Sequence, residues 1–399
     1  LIIFSKHFYP DNFKINIIAK KLVKKGYDIN VLTSNPHYHY KNSNRYKNKF
    51  FLNKKIWNGI KIFYLPVYKK KNFSFLNIFL NYLSHIVSCF FYCHFLVKKK
   101  YDLIFVFGTS PIFQSIPAIY FSFLIKKPII LWIQDLWPES LKDTGYIKNK
   151  YILRIIKFLV KINYLFSDVL LVQSNNFKKK IKNDFKINKK IITHYNLSEL
   201  KFQKFKKCKN KKIIVTYSGN FGNAQDFETL LRVSKFSEIK KNFNFKLIGI
   251  GKKFDYIKNY ISKNKLSENV HLYKYIKGEK LNKILFNSDA LFLTLNRGEA
   301  LNNTIPGKFQ TYLSFGKPII SNSVGASKNI ILNSGIGLSN NPGDYRKLYS
   351  NLIKLKKMSL SKKKNIYIKS KKLYMKHFEI NKNITNLISI LNKTKKNDT

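Results

Sequence analysis

Cysteine, tryptophan and acidic residues are scarce in this chain. Its 399 residues include three cysteines, Cys89, Cys93 and Cys208, which are too few for a disulfide framework and fit a reducing cytoplasm. Cys89 and Cys93 stand four residues apart in an apolar stretch, which favours small buried side chains over metal ligands. Because no His, Asp, Glu or Cys residues recur with metal-ligand spacing, we expect no bound metal and no other cofactor.

The shortage of acidic residues leaves a large positive charge. There are 20 Asp and Glu against 75 Lys and Arg, or 75 − 20 = +55. Such a charge indicates an anionic membrane or nucleic acid as partner. A third explanation is an A/T-rich genome, since Lys prevails over Arg and accompanies abundant Ile, Asn, Phe and Tyr. No nucleic-acid-binding signature is present, so we predict no nucleic-acid partner. Attraction to anionic lipid would contribute about 1 kcal/mol per nearby Lys.

Length and apolar content predict two packed domains. A chain of this length suits two domains of about 150–200 residues each. An apolar content of 45% excludes a disordered or fibrous protein. The chain shows no signal peptide and begins inside an apparent strand, so we expect a Met and one or two further residues to precede it.

Short apolar strands alternate with amphipathic helices in the first half. Residues 1–5 form a predicted strand, 13–25 a helix that stops before Gly26, and 27–33 a second strand. This βαβ unit is typical of a parallel sheet with helical crossovers. The pattern continues with strands at 102–107, 128–133, 168–172 and 190–193 and helices at 113–125, 151–166 and 175–183.

A second α/β series follows a polar, Lys-rich linker at 199–211. Two doubly wound halves predict a cleft between them, with ligands at the carboxyl ends of the strands. The strands are expected near 213–217, 245–249, 270–273, 290–294 and 318–320, and the helices near 225–237, 254–262, 279–286 and 307–315. The predicted domains are 1–198 and 212–365, followed at 366–399 by a C-terminal helix, with a polar tail, that could pack back on the first domain.

Residues 75–97 interrupt this alternation with a long apolar run, FLNIFLNYLSHIVSCFFYCHFLV. Its length would permit a membrane span, but its Asn, Ser and His residues make a span costly. Lysines at 69–71 and 98–100 flank the run. We prefer an interfacial helix held by anionic lipid, and a buried core helix and a true span remain as alternatives.

The string NTIPGKFQTYLSFGKP at 303–318 reads as a loop, a helix and the start of a strand. Pro306 suits a helix start, and the amides of the first turn can hold an anion. Lys308 adds a positive charge suited to a diphosphate. The plainer interpretation is an ordinary connection between a strand and a helix.

Two glycine-rich turns predict close approach of backbone to a ligand. The string YSGNFGNAQDF at 217–227 follows the first strand of the second half and opens a helix. The string GIGK at 249–252 ends the next strand and would point to the same cleft.

The string WIQDLWPES at 132–140 ends a strand of the first half. Two tryptophans beside the carboxylates of Asp135 and Glu139 suit a site that stacks a sugar and binds its hydroxyls. A structural alternative has Trp137 and Pro138 as packing residues and Glu139 as a charge at a helix start.

These strings resemble family 4 glycosyltransferases, whose fold is GT-B. They are similar to a branch that reads TIPGK…Y…GKPI, SGNxGxAQ and DLWPES, and that builds surface polysaccharides such as O-antigen, lipopolysaccharide and capsule and includes N-acetylfucosamine transferases. With HFYP at 7–10 and NPHY at 35–38, the resemblance covers about residues 1–340. It implies α/β GT-B architecture, with two Rossmann-like domains facing a central cleft.

The resemblance implies transfer with retention from a nucleotide-sugar, without metal. Lys308 and Lys252 would neutralise charge on the departing diphosphate, and Asp135 and Glu139 would orient hydroxyls. One departure is Thr311, which stands where a ribose-binding glutamate is usual. Asn303 falls near the position of the other glutamate, for which Glu299 could substitute. The implied donor residues are Gly219, Asn220, Gly222, Gln225, Gly251, Lys252, Glu299, Thr304, Pro306, Gly307 and Thr311, and the implied acceptor residues are His7, Asn35, His37 and Trp137.

The expected enzyme moves a sugar, with an N-acetylated UDP-activated sugar as our guess, to a polyprenyl-linked or other glycan acceptor. It would be cytoplasmic and peripherally bound to the inner face of the cell membrane. A UDP-sugar 2-epimerase, which shares GT-B architecture, is the alternative enzyme. A basic nucleic-acid- or lipid-binding protein is the alternative without sugar chemistry.

Overall fold

The computed structural model describes residues 1–36, 53–69, 75–208, 210–276 and 278–396. The chain divides into two compact units. Leu1–Tyr195 and Asn383–Thr399 form the first unit, and Asn196–Lys382 form the second. The segment at 199–211 therefore belongs to the second unit.

The first unit is built on an eight-stranded sheet with the order β3-β4-β2-β1-β5-β6-β7-β8. Every pairing is parallel except that of β3 with β4. The central strands are buried along their whole length because helices cover both faces, which explains their unbroken runs of apolar residues. The strands are β1 Ile2–Phe4, β2 Asn30–Ser34, β3 Asn53–Trp57, β4 Ile60–Leu65, β5 Ile104–Gly108, β6 Ile129–Ile133, β7 Val169–Val172 and β8 Lys190–Thr193.

The hairpin β3–β4 is absent from the sequence prediction. Its turn is formed by Asn58 and Gly59, both with positive φ (49° and 77°), which is the geometry of a type I′ turn. The Asn-Gly pair between apolar residues was a usable hairpin signal.

The helices of the first unit connect the strands and include the long apolar run as one helix. They are α1 Lys14–Val23, α2 Phe75–Cys93, α3 Ser115–Ile125, α4 Glu139–Asp143, α5 Lys150–Leu165 and α6 Asn175–Phe185. α2 continues into a short 3-10 helix at His94–Leu96.

The second unit has a six-stranded parallel sheet with the order β11-β10-β9-β12-β13-β14. Its predicted strands are confirmed, and one strand at the edge was missed because its sequence, GLSN, is short and polar. The strands are β9 Ile213–Ser218, β10 Phe243–Ile248, β11 Val270–Tyr273, β12 Ala290–Thr294, β13 Ile319–Asn322 and β14 Gly337–Asn340. The helices are α7 Phe227–Val233, α8 Ser237–Asn242, α9 Phe254–Lys263, α10 Gly278–Phe286, α11 Glu299–Asn303, α12 Gly307–Ser314, α13 Gly325–Asn333, α14 Tyr345–Lys356 and α15 Leu360–His377.

The last helix, α16 (Ile380–Lys396), runs back into the first unit. Its Asn392 accepts a hydrogen bond of 2.7 Å from the Tyr27 hydroxyl. Its Lys395 pairs with Asp102 at 2.9 Å. Most of the C-terminal helix thus belongs to the compact unit that opens the chain.

Candidate active site

Three glycines bring the loops after β9 and β10 into backbone contact. Gly219, Gly249 and Gly251 have φ of +151°, +155° and +151°, which L side chains rarely adopt. A Cβ on Gly249 would overlap the carbonyl of Gly219, and one on Gly251 would overlap that of Phe221. The two loops therefore form one surface of backbone at the carboxyl end of the sheet.

Lys308 of α12 lies beside these loops. Its Nζ donates to the phenol oxygen of Tyr217 at 2.5 Å and lies 4.0 Å from the centre of that ring. Tyr217 in turn donates to the backbone carbonyl of Asn220 at 2.6 Å. A Cβ placed on Gly219 would lie 2.8 Å from Lys308 Nζ. Two sequence motifs that lie about 90 residues apart thus meet at one amine.

Desolvation lowers the pKa of Lys308 to about 7. Burial raises the pKa of Tyr217 well above that of an ordinary tyrosine, so this partner is a neutral phenol. An amine in such surroundings holds its proton more firmly when an anion comes close. The arrangement therefore suits an anionic ligand that supplies the missing negative charge.

The N-terminus of α12 also favours an anionic ligand. Pro306 is the N-cap residue, and no described side chain caps the first turn. The hydroxyl of Thr304 donates to the carbonyl of Ala300 at 2.8 Å, so Thr304 supports the loop that enters the helix. The first-turn amides of Gly307 and Lys308 and the helix dipole favour an anion.

Gln225 closes the glycine-rich turn after β9. Its side-chain oxygen accepts from the backbone N–H of Gly222 at 2.9 Å. Lys253 donates to the backbone carbonyl of Gln225 at 3.1 Å and pairs with Glu228 at 2.8 Å. Lys252, which the sequence predicts to bind the nucleotide-sugar donor, is exposed. The lysine that fixes this turn is its neighbour.

Glu299, which could substitute for a missing glutamate, lies on α11, and Thr311, which stands where a ribose-binding glutamate is usual, lies on α12. Glu299 is exposed at the start of α11, and its backbone carbonyl accepts from the side chain of Asn303 at 2.7 Å. Thr311 follows Lys308 by three residues on α12 and is partly exposed. Ribose binding by either residue stays a prediction.

Asp135, Ser110 and Trp137 form a hydrogen-bonded group in the first unit, after β5 and β6. Asp135 Oδ2 accepts from the Ser110 hydroxyl at 2.8 Å and from its backbone N–H at 3.1 Å. The Trp137 indole donates to the same hydroxyl at 3.1 Å, and its buried ring meets Phe113 edge-on. Burial raises the pKa of Asp135. Trp137 positions this group by its N–H, and sugar stacking on its ring stays a prediction.

Glu139 begins α4 and is buried. Its Oε1 lies 3.6 Å from Lys180 Nζ on α6, and Lys180 also pairs with Asp184. Trp132, the other tryptophan of the motif, is fully buried on β6 and packs against Phe107. It belongs to the core of the first unit, so its ring is not exposed to stack on a sugar.

The predicted acceptor residues of the first loops are only partly described. His7 follows β1, stacks on Phe13 at 4.8 Å and lies 3.9 Å from Asp11. Asn35 follows β2 and is buried. His37 lies outside the described residues.

Comparison with known proteins connects this geometry to an activity. Residues 198–372 match the family model described as glycosyl transferases group 1, a range that contains the whole Lys308 site. The chain is a glycosyltransferase with a GT-B fold. No curated protein sequence matches the enzyme significantly.

Solved structures with GT-B architecture resemble the enzyme over nearly its whole length. Sucrose-phosphate synthase from Thermosynechococcus elongatus has a TM-score of 0.73 at 11% identity, covering 98% of each chain. HepE of Anabaena in complex with UDP has a TM-score of 0.69 at 12% identity, covering 98% of this chain and 99% of that one. WaaG, a glycosyltransferase involved in lipopolysaccharide biosynthesis, has a TM-score of 0.64 at 10% identity, covering 93% of this chain and 95% of that one. At these identities the likeness concerns the fold alone.

Sequence reasoning missed several residues of the candidate site. Tyr217 lies in the glycine-rich string at 217–227, but nothing in that string indicates that its hydroxyl meets Lys308. Tyr312, whose hydroxyl accepts from the Ser218 N–H at 2.7 Å, gave no signal beyond helical spacing. Ser110 lies in the loop after β5, where the sequence shows no signal beyond the proline that follows it. These contacts join distant segments, and only the folded chain shows them.

Proposed function

We propose that this glycosyltransferase is a family 4 enzyme that transfers an N-acetylated sugar from UDP, with retention, to a polyprenyl-linked or glycan acceptor. Its pathway would be the synthesis of a surface polysaccharide such as O-antigen, lipopolysaccharide or capsule, and its branch the one that includes N-acetylfucosamine transferases. The observation that carries the proposal is the site where Lys308, the uncapped start of α12 and the glycine loops meet.

The chemistry requires stabilisation of a leaving group. As the bond from the anomeric carbon to the donor phosphate breaks, negative charge grows on the diphosphate, and the acceptor hydroxyl gives up its proton as the new glycosidic bond forms. In retaining GT-B enzymes the departing phosphate can take that proton. The protein would then contribute mainly preorganised positive charge: the Lys308 ammonium and the amides at 219–222 and 304–308. Lys252 is a second candidate from the loop after β10.

Two comparisons support a UDP donor and a polysaccharide pathway. HepE, whose fold this enzyme shares, was solved with UDP and with UDP-glucose. WaaG acts in lipopolysaccharide biosynthesis.

Asp135 is our candidate for orienting a sugar hydroxyl on the first unit. Its Oδ2 is held by Ser110, and its Oδ1 makes no hydrogen bond within the described part of the chain. A carboxylate fixed at one oxygen can accept from a hydroxyl with the other. Glu139, which is buried beside Lys180, would act by fixing the local structure.

We place the enzyme in the cytoplasm at the inner face of the cell membrane. One described helix, Leu76–Leu96, is long and apolar enough to cross a bilayer by length and composition. The charge of +55 would draw the enzyme to anionic lipid. A polyprenyl-linked acceptor would be met at the same surface.

The test is a panel of UDP- and other nucleotide-sugars scored for nucleotide release, with and without membrane extract from a polysaccharide-producing bacterium. We expect UDP release that depends on the extract and a lipid-extractable product whose new bond keeps the donor's anomeric configuration. Conversion of free UDP-sugar without any acceptor would show a 2-epimerase. No release from any donor would contradict the proposal.

A further inference from the structure

Helix α2 is amphipathic, but its polar side faces the protein and its apolar side faces outward. Its buried side carries polar and small residues, and its exposed side carries large apolar ones. The buried side consists of Asn81, His85, Cys89 and Cys93, and the exposed side of Leu76, Phe79, Leu83, Val87 and Phe91. The spacing of the exposed residues, three or four apart, places them along one stripe.

The polar side of α2 is hydrogen-bonded to the rest of the first unit. His85 Nδ1 lies 2.8 Å from the Ser34 hydroxyl at the end of β2. The Asn81 side chain donates to the carbonyl of Tyr68 at 2.6 Å. A spanning α2 would have to break these contacts and carry Asn81 and His85 into hydrocarbon. The helix therefore stays on the sheet with its apolar stripe outward.

α3 and α5 extend the apolar stripe into a broad surface. α3 touches α2 where Phe90 and Tyr120 meet at 5.3 Å between ring centres. It touches α5 where the Ser115 hydroxyl lies 2.6 Å from the Asn163 side-chain oxygen. Exposed apolar residues beyond α2 are Phe95, Val97, Phe123, Leu124, Tyr151, Ile152, Ile155, Phe158, Leu159, Leu165 and Phe166. With the five α2 residues, these form what we term the three-helix apolar face.

Basic residues border this face. Lys98 and Lys100 follow α2, Lys126 follows α3, and Lys148 and Lys150 lie at the start of α5, all of them exposed. Such a border complements an anionic surface and would repel a second copy of a chain that carries +55.

A cavity of about 560 Å³ opens at the end of α3. Phe123, Lys126, Lys127 and Lys190 contribute to its lining. Asp168, the one acidic residue among the described residues that line it, accepts from the backbone N–H of Ile129 at 2.8 Å. A cavity with lysines beside an exposed Phe fits a lipid phosphate whose chains lie along the apolar face.

We infer that the three-helix apolar face is the docking surface for an anionic phospholipid bilayer, in whose interfacial region α2, α3 and α5 lie. The inference rests on the proposed membrane location and extends it from one helix to three. Large exposed apolar surfaces rimmed by basic residues are typical of proteins that bind membranes peripherally. The sheet contacts of α2 make docking compatible with an intact first unit.

The test uses full-length protein and vesicles of phosphatidylcholine with or without phosphatidylglycerol, at low and high salt. The double variant Ile155→Ser, Phe158→Ser removes apolar side chains from α5, outside the segment predicted from sequence. Ile368→Ser with Met375→Ser is the matched control, because these α15 residues are similarly exposed on the second unit. We expect wild type and control to pellet with anionic vesicles and to detach partly in high salt. The α5 variant should bind at least about tenfold more weakly.

Several results would overturn the inference. Equal vesicle binding by the α5 variant would remove α5 from the surface, and absence of binding by wild type would refute membrane docking. If wild type is a dimer without affinity for vesicles and the α5 variant is a monomer, the apolar face binds a second copy of the chain. Resistance to carbonate extraction would show a span. Phe158→Trp gives an independent measurement. When this variant binds vesicles, the fluorescence emission of the new tryptophan should shift to the blue and be quenched by brominated lipid.

Failure here is separable from failure of the proposed function. UDP binding and nucleotide release with a water-soluble acceptor should be the same in the α5 variant and in wild type. If wild type binds UDP and transfers sugar but ignores vesicles, only the membrane inference falls. If it binds vesicles but no nucleotide, only the transferase proposal falls.

Discussion

The affinity of the enzyme for UDP should fall as the pH rises above 7. The pKa of Lys308 is about 7 in the unliganded structure, because its amino group is desolvated. A diphosphate beside the amine raises that pKa, so binding takes up a proton. If only the protonated enzyme binds, the competent fraction is about one half at pH 7 and about one hundredth at pH 9, so the apparent Kd rises about 50-fold. The second ionisation of the phosphate, near pH 6, lies below this window.

Isothermal titration between pH 7 and 9 measures this effect. Repeating the titration in buffers of different ionisation enthalpy also gives the number of protons that the enzyme takes up when it binds UDP. Lys308→Met should bind UDP weakly with little pH dependence over this range, and Lys308→Arg should keep the charge and lose the slope. A wild-type affinity that does not change from pH 7 to 9, or an equal slope in Lys308→Met, would refute the reasoning.

Further outcomes follow from the same contacts. Lys308→Ala should lower kcat/KM by about 30- to 900-fold, or roughly 2–4 kcal/mol, without loss of fold by circular dichroism. The pKa of Lys308 in the folded protein lies below its ordinary value of 10.5, so the buried charge destabilises the fold fully below pH 7 and progressively less as the pH rises toward 10.5. Lys308→Met should therefore stabilise the fold by roughly 2–4 kcal/mol at pH 6 and by much less at pH 10. Urea unfolding at the two pH values measures this difference. Gly249→Ala should cost roughly 3 kcal/mol, since its Cβ would overlap the Gly219 carbonyl, whereas Gly278→Ala (φ +57°, open surroundings) should cost about 1–2 kcal/mol. Activity should survive EDTA; loss restored by Mg²⁺ or Mn²⁺ would show a metal site.

The two α/β units could be predicted because their pattern is strong. Buried parallel strands such as β6 and β12 are continuous apolar runs, and glycine after α1 marks a helix end. Edge elements such as β14 carry short, polar sequences that periodicity does not detect. Helix α15 was missed in part because its sequence is rich in Lys and has few apolar residues to show a face.

Part of the site was predictable for a similar reason. Lys308 and the glycines stand in short strings whose local conformation, a turn followed by a helix, fixes their position. Partners from other segments, such as Tyr217 for Lys308 and Ser110 for Asp135, depend on tertiary contacts that spacing does not encode. The outward apolar stripe of α2 was also hidden, because composition reveals that a helix is apolar and not which side the sheet covers.

The most direct test of the Lys308 site is the structure of the enzyme with bound UDP. We expect the diphosphate to lie at the start of α12, with an oxygen about 2.7–3.1 Å from Lys308 Nζ and others facing the amides of the loop at 219–222. We also expect Lys308 Nζ to turn from the Tyr217 hydroxyl toward the phosphate. A diphosphate bound elsewhere, with Lys308 still on Tyr217, would contradict this assignment of the donor site.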